Sequence, residues 1–234
     1  MLKPVIISGF LKSVKDVLFP EECGICHRHT GDGICTDCDE ALDTALLSDP
    51  IFTVNVNGKK LRCAACFVYN DRDAVETLVF ELKRNSSERL VGYCAGRMCF
   101  AVQCLGITGK AIFTGVPRSV SGMRKNGFDQ AQLLARKAAK LSQNGEYLKL
   151  LKRHGFSKEQ KKLSADGRKQ NIKGKFRICT FCGMSPEYDG SIVIFDDVCT
   201  TGASVAECAE MIGRAFPFAK VYAVFLALTE GERH

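Results

Sequence analysis

No stretch of the 234-residue chain reaches the roughly 18 consecutive apolar residues that a membrane-spanning helix needs. No cleavable leader is expected, because residues 1–19 place Lys12, Lys15 and Asp16 inside an apolar stretch that ends at Pro20 with no small-residue cleavage site. Without an export signal, the thirteen cysteines read as thiols of a reducing, cytoplasmic compartment and not as a disulfide framework. There is no internal repeat and no low-complexity tract, which excludes a solenoid or an array. Histidine is scarce, with four residues. His27 and His29 follow a cysteine pair, His154 and His234 have no partner at a telling spacing, and all four read as surface positions.

What is present fits one substantial domain with a small appendage. Hydrophobic residues make up 46% of the chain and the net charge is +7, values that suit a globular protein. In the first 19 residues Ile6, Ile7, Phe10, Leu11, Val14, Val17 and Leu18 share one helical face. That segment reads as an amphipathic helix packing on the body of the protein, with membrane contact as the lesser alternative.

Cys23-Gly-Ile-Cys26 and Cys35-Thr-Asp-Cys38 form two Cys-x-x-Cys knuckles eight residues apart. Each knuckle can present two sulfurs to one ion, so the pair predicts a tetrahedral four-cysteine zinc site. With all four positions filled by thiolates, this zinc is structural. Cys63/Cys66 and Cys179/Cys182 repeat the spacing beside strand-like segments, where residues i and i+3 face opposite sides. These four read as packed thiols, a shared second metal being the alternative. Cys94, Cys99, Cys104 and Cys208 fall in helical patterns and read as core.

Residues 192–204 read Ile-Val-Ile-Phe-Asp-Asp-Val-Cys-Thr-Thr-Gly-Ala-Ser. Four apolar residues predict a buried strand, and its C-terminal edge delivers Asp196 and Asp197 to the side of an open α/β sheet where ligands bind. Val198, Cys199, Thr200, Thr201, Gly202, Ala203 and Ser204 then form a hydroxyl-rich turn into a helix, an arrangement that suits a phosphate. Two carboxylates beside such a nest accept hydrogen bonds from vicinal hydroxyls, as on ribose. Elsewhere, helical periodicity covers 73–83, 88–105 and a segment bearing Ala131, Leu134, Ala135, Ala138 and Leu141. Buried strands are expected at 111–116 and 221–228, and a largely polar segment runs from 143 to 174. Strands alternating with helices imply a parallel sheet with right-handed crossovers, and the loops after 111–116 and 192–195 would meet at one edge.

The 192–204 run resembles the phosphoribosyl pyrophosphate (PRPP) motif of type I phosphoribosyltransferases. Together with the N-terminal knuckles, Tyr69, Leu82-Lys83, Val116-Pro117-Arg118, Arg124 to Gln130, and Gln160, Leu163, Arg168, Asn171 and Phe176, nearly the whole chain resembles the ComF family, ComFC-like proteins linked to competence and DNA uptake. The resemblance implies an α/β, parallel-sheet type I phosphoribosyltransferase fold over residues 51–234, preceded by a helix and zinc-knuckle module over residues 1–50. It implies that Asp196 and Asp197 hold ribose hydroxyls, that Val198 to Ser204 grip the 5-phosphate, and that Mg²⁺ bridges the pyrophosphate. Arg118, with Asp196 and Asp197, is implied in catalysis. Ser119, Arg124, Lys125 and Lys83 are implied near the pyrophosphate, and Lys158, Lys161, Lys162 and Arg168 in a hood loop or a nucleic-acid contact.

Two departures bear on substrate. Family members usually read Arg-Gly-Phe-Asn-Gln where this chain has Asn126-Gly127-Phe128-Asp129-Gln130. Relatives acting on 6-oxopurines commonly carry Asp at the position of Thr200, and the threonine weighs against that acceptor. Two function classes follow: a PRPP-dependent transferase of unknown acceptor, or a competence accessory protein that keeps the pocket while binding single-stranded DNA, a helicase or a membrane uptake partner. Basic clusters at 118–125, 136–140, 149–153 and 158–177 suit the second class.

Overall fold

The computed structural model describes residues 22–30, 33–70, 73–84, 87–118, 127–153, 175–180 and 183–229. The amphipathic stretch 1–19, Ser119, Arg124, Lys125, Lys158, Lys161, Lys162, Arg168, Cys182, His154 and His234 lie outside the described residues.

After the cysteine knuckles comes α1 (Thr36–Asp43), then β1 (Ile51–Val56) and β2 (Lys59–Tyr69), α2 (Ala74–Arg84), α3 (Glu88–Cys104), β3 (Ala111–Gly115) and α4 (Gln130–Leu141). Short strands β4 (Gly145–Tyr147), β5 (Leu151–Arg153) and β6 (Phe176–Ile178) precede β7 (Ser191–Cys199), α5 (Ala203–Ala215) and β8 (Lys220–Thr229). Six strands form one sheet in the order β1-β2-β8-β7-β3-β4, while β5 and β6 pair separately. Within the large sheet β1 is antiparallel to β2 and every other pairing is parallel. The expected α/β architecture with a mostly parallel sheet is therefore what the chain adopts.

The apolar run of β7 shows why the sheet is buried on both faces. Val193 and Phe195 join the cluster that includes the buried sides of α2, α3 and α4, whereas Ile192 and Ile194 join the cluster that includes α5 and Phe176 of β6. Side chains alternate along a strand, so covering both faces requires apolar residues at every position. Cys63 and Cys66 follow the same geometry, one in each cluster, as expected of packed thiols. Cys94 and Cys208 are fully buried, but Cys99 and Cys104 are only half-buried. Leu141, assigned to an apolar face by its spacing, is 51% exposed because it sits at the last turn of α4.

The knuckle segment is not a free appendage in its packing. Cys23, Ile34, Cys38 and Leu42 belong to the same buried cluster as α2 and α3. A Cβ placed on Gly24 would come within 2.6 Å of Leu90 Cδ1. Across α1, Asp39 accepts hydrogen bonds from Tyr93 (2.5 Å) and Arg97 (2.6 Å), and Asp43 pairs with Arg97 at 2.8 Å.

Candidate functional site

The centre of the sheet places two chain ends side by side. β3 and β7 are neighbours in parallel register, Gly115 opposite Phe195, so Val116-Pro117-Arg118 and Asp196-Asp197 emerge on the same edge. A cleft of about 200 Å³ opens between them, and its walls include Lys83, Arg118, Asp129, Arg153, Asp196, Asp197 and Ser204. The two loops expected to meet do meet. The strand is longer than its apolar run, since pairing with β8 continues through Asp196, Val198 and Cys199. Both carboxylates are consequently anchored by the ladder itself.

Beyond β7 the turn pivots on Gly202, which has φ +65° and caps the N-terminus of α5. Its carbonyl accepts Ala206 N–H at 2.8 Å, and the Thr201 hydroxyl accepts Ala203 N–H at 3.4 Å. From the adjoining strand, Thr229 Oγ1 donates to the carbonyls of Cys199 (3.3 Å) and Thr200 (3.4 Å). Tying the turn to β8 in this way fixes the exposed residues Thr200, Thr201 and Ser204 beside the positive end of the helix, with Ser204 in the wall of the cleft.

Two cations are held in this cleft by a network that the local sequence does not announce. Lys83 Nζ lies 3.1 Å from Asp197 Oδ2. Gln130 donates to the Lys83 carbonyl at 3.0 Å and accepts from the Arg118 guanidinium. Asp129 accepts the Arg118 backbone N–H at 2.9 Å with Oδ2, while Oδ1 accepts Gln132 N–H at 3.4 Å and caps α4. The Arg118 N–H is thus engaged by Asp129 and its guanidinium by Gln130. Arg153 is a further cation that sequence reasoning did not single out. It is carried at the end of β5 and stacked 5.6 Å over the Phe176 ring.

The electrostatics of the carboxylates differ. Burial, together with the neighbouring Asp197 charge, pushes the Asp196 carboxyl well above its ordinary value. Burial also raises Asp129, against the pull of its two backbone N–H donors. Asp197 has Lys83 as counter-ion; Asp196 has no ion-pair partner among the described residues. A carboxyl whose folded pKa is raised binds its proton more tightly when folded. Stability therefore falls as pH rises from the unfolded value, about 3.9, to the folded one, and stays lowered above it. Asp196→Asn removes that cost, so at neutral pH the free variant is expected to melt above the parent. Thermal melts between pH 4 and 8 check this: the gap should close toward acid, and a variant less stable than the parent at pH 7 contradicts the assigned repulsion.

At the other end of the chain the four predicted sulfurs come together. The Sγ atoms of Cys23, Cys26, Cys35 and Cys38 lie within 4.8 Å of one another, forming a group able to hold a metal ion. Cys26 and Cys35 are 3.6 Å apart; tetrahedral zinc with ~2.3 Å bonds has S–S edges of about 3.8 Å. Arg28 Nε donates to Cys26 at 3.3 Å and its Nη2 to Cys35 at 3.7 Å, while Asp37 holds the same guanidinium at 2.6 Å. This cation draws the Cys26 thiol down to about 6. His27 and His29 are exposed, as expected, and stand outside the cluster.

Among known proteins, no family model matches the chain and no curated protein sequence matches it. Among solved structures it is similar to a hypoxanthine phosphoribosyltransferase from Staphylococcus aureus, at 12% identity and a TM-score of 0.35. The match covers 61% of this chain and spans 65% of that one.

Proposed function

We propose that this chain binds PRPP, or a closely related phosphosugar, in the cleft between β3 and β7, and that it works as a phosphoribosyltransferase-type domain. The observation that carries this reading is the convergence of a carboxylate pair, a glycine-pivoted hydroxyl turn at a helix N-terminus and two held cations in one cleft. Asp196 and Asp197 accept hydrogen bonds from the ribose 2- and 3-hydroxyls. The turn Thr200 to Ser204 takes the 5-phosphate, and the Arg118 guanidinium meets the pyrophosphate.

With an acceptor present, its lone pair attacks C1 as the C1–O bond to pyrophosphate breaks, the bonding electrons leave with pyrophosphate, and the acceptor's proton is released to solvent. The developing oxocarbenium charge and the polyanionic leaving group both need electrostatic support. Carboxylates beside the sugar serve the first and Arg118 the second. When bound with the pyrophosphate, Mg²⁺ would supply further neutralisation of the leaving group. Gln130 and Asp129 orient Arg118 through its side chain and its main chain, respectively. We further propose zinc as the metal of the four-cysteine group, in a closed structural role. A part in DNA uptake, with single-stranded DNA or a helicase as partner, rests on the ComF resemblance and the chain's positive charge.

Calorimetry with PRPP and Mg²⁺ tests the reading. Asp196→Asn and Asp197→Asn keep the side-chain shape but replace charged acceptors by amides, so each is expected to lose ~1.5–3 kcal/mol, or about 10- to 150-fold in affinity. Because Asp196→Asn is expected to stabilise the free fold, its weaker binding will not be mistaken for unfolding. Variants that bind like the parent would reduce 192–204 to a strand-turn-helix junction. Release of pyrophosphate only when a base is added identifies the transferase; binding without turnover identifies the accessory class.

A further inference from the structure

Glu207 is a buried carboxylate that the proposed reaction does not use. It lies on α5, about one helical turn after Ser204 and on the same side of the helix, and is 9% exposed. Its Oε1 accepts the Lys175 N–H at 2.6 Å. Its Oε2 is buried and has no hydrogen-bond partner among the described residues. A buried acceptor left unpaired costs stability. An apolar side chain would cover this face of α5 without that cost, so packing alone does not account for an acid here.

The bond to Lys175 reaches the cleft in two further steps. Lys175 leads directly into β6, whose first residue, Phe176, stands opposite Arg153 of β5. Phe176 is buried in the cluster that contains Val205, Cys208 and Ile212 of α5. Over this ring stands the Arg153 guanidinium, 5.6 Å from the ring centroid, in the wall of the cleft that also includes Asp196 and Ser204. Lys83 is paired with Asp197 and Arg118 is engaged by Gln130, whereas the Arg153 guanidinium has no ion-pair or hydrogen-bond partner among the described residues. Stacking on Phe176 is therefore the contact that sets its place. Burial raises the Cys208 thiol, Asp196 and Glu207 add to the rise, and Arg153 opposes it. One turn of α5 is thus within electrostatic reach of Glu207, the cleft carboxylate and the cation.

We infer that Glu207 is a positioning residue: by holding β6 on α5 through Lys175, it sets Phe176 under Arg153 and so presents Arg153 as a third cation to the phosphate groups of the ligand. The inference rests on the phosphosugar reading of the cleft. A guanidinium with no other partner donates charge-assisted, often paired hydrogen bonds to a phosphate, and a displaced platform weakens them while the charge remains. The same linkage ties Arg153 to the turn proposed for the 5-phosphate, because α5 carries both: the turn at its N-terminus and β6 through Glu207.

Calorimetry with PRPP and Mg²⁺ on the full-length protein tests this, with thermal melts of the same samples. Arg153→Gln is expected to weaken binding about 10- to 150-fold, the range for a hydrogen bond between charged groups, and Glu207→Leu about tenfold. Glu207→Gln keeps an oxygen for the Lys175 N–H and should stay within about threefold of the parent. In the Arg153→Gln background, Glu207→Leu should cost less than about twofold more, since it acts through that residue. Should Glu207→Leu not fold, Phe176→Leu removes the ring while keeping apolar bulk, and is expected to weaken binding in the parent and to be silent beside Arg153→Gln. A Glu207→Leu protein that binds PRPP like the parent, whatever its melting temperature, or that loses affinity equally with and without Arg153, overturns the positioning role. Parent-like binding by Arg153→Gln while Asp197→Asn has lost affinity overturns the part given to Arg153 and leaves the phosphosugar reading standing; a parent that does not bind PRPP removes both.

Discussion

Cys23→Ser combined with Cys26→Ser is expected to bring zinc from about one ion per chain to almost none and to lower the melting temperature by ~6–12 °C, a loss of at least about 3 kcal/mol. The expected size follows from where the sulfurs sit. Structural zinc in isolated finger peptides contributes roughly 10–16 kcal/mol at neutral pH, and here Cys23 and Cys38 are buried in the cluster that also contains Leu78, Leu82 and Leu90. Loosening the knuckle uncovers the Gly24 contact on Leu90 and frees α1, whose Asp39 and Asp43 hold Arg97. Hydrogen exchange should rise over residues 22–43 and at the N-terminal turns of α3, while the sheet still melts cooperatively. His27→Ala, at an exposed neighbour, should leave zinc unchanged. Zinc retained by the double variant would refute the four-sulfur site; zinc lost with residues 22–43 still protected would show that packing alone holds the segment.

Much of this architecture can be read along the chain because the informative patterns are local. The apolar periods of α2, α3 and α4 and the unbroken runs of β3, β7 and β8 each lie within one element, and the sulfur spacing and the 192–204 run are contiguous. The β1–β2 hairpin is less legible. Its turn residues Asn57 (φ +51°) and Gly58 (φ +84°) are the strong Asn-Gly hairpin signal, but β2 is buried on both faces over Cys63 to Phe67 and shows no polar alternation to mark it as a strand. β4, β5 and β6 have three residues each, too few for a period to register within a polar tract.

The site divides in the same way. Asp196, Asp197 and Gly202 belong to one run, and the structure finds them together. Asp129 and Gln130 reach Arg118 across 11 and 12 residues, and Gln130 reaches Lys83 across 47. Only the adjacency of β3 to the start of α4 brings them together, and no local spacing records it. Arg153 owes its place in the cleft to the pairing of β5 with β6. Charge alone does not distinguish it from the other basic residues around it.

Gly202→Val is expected to abolish PRPP binding and also to cost the free protein roughly 2–4 kcal/mol, because two separate penalties fall on one residue. The backbone at Gly202 is left-handed, φ +65°, a conformation that costs an L-residue about 1–2 kcal/mol, and more when it is β-branched. The residue is also buried, and a Cβ there would lie 2.7 and 2.9 Å from the two γ-carbons of Val54, itself packed in the sheet. Valine has stiff branching at χ1, so Val54 cannot swing aside. The turn would have to shift, taking with it the hydroxyls of Thr200 and Thr201 and the N-terminus of α5. Gly202→Ala separates the two penalties. Combined with Val54→Ala it should recover the steric part of the lost stability, whereas the left-handed strain remains. Urea unfolding of the single and double variants gives the coupling between the two sites, and calorimetry with PRPP and Mg²⁺ on the same samples reads the ligand. Should the Gly202→Ala, Val54→Ala pair regain stability and yet bind poorly, the close approach of backbone to phosphate is the cause. Full binding by Gly202→Val would mean that no phosphate sits on this turn, and the phosphosugar reading of the cleft would be lost with it.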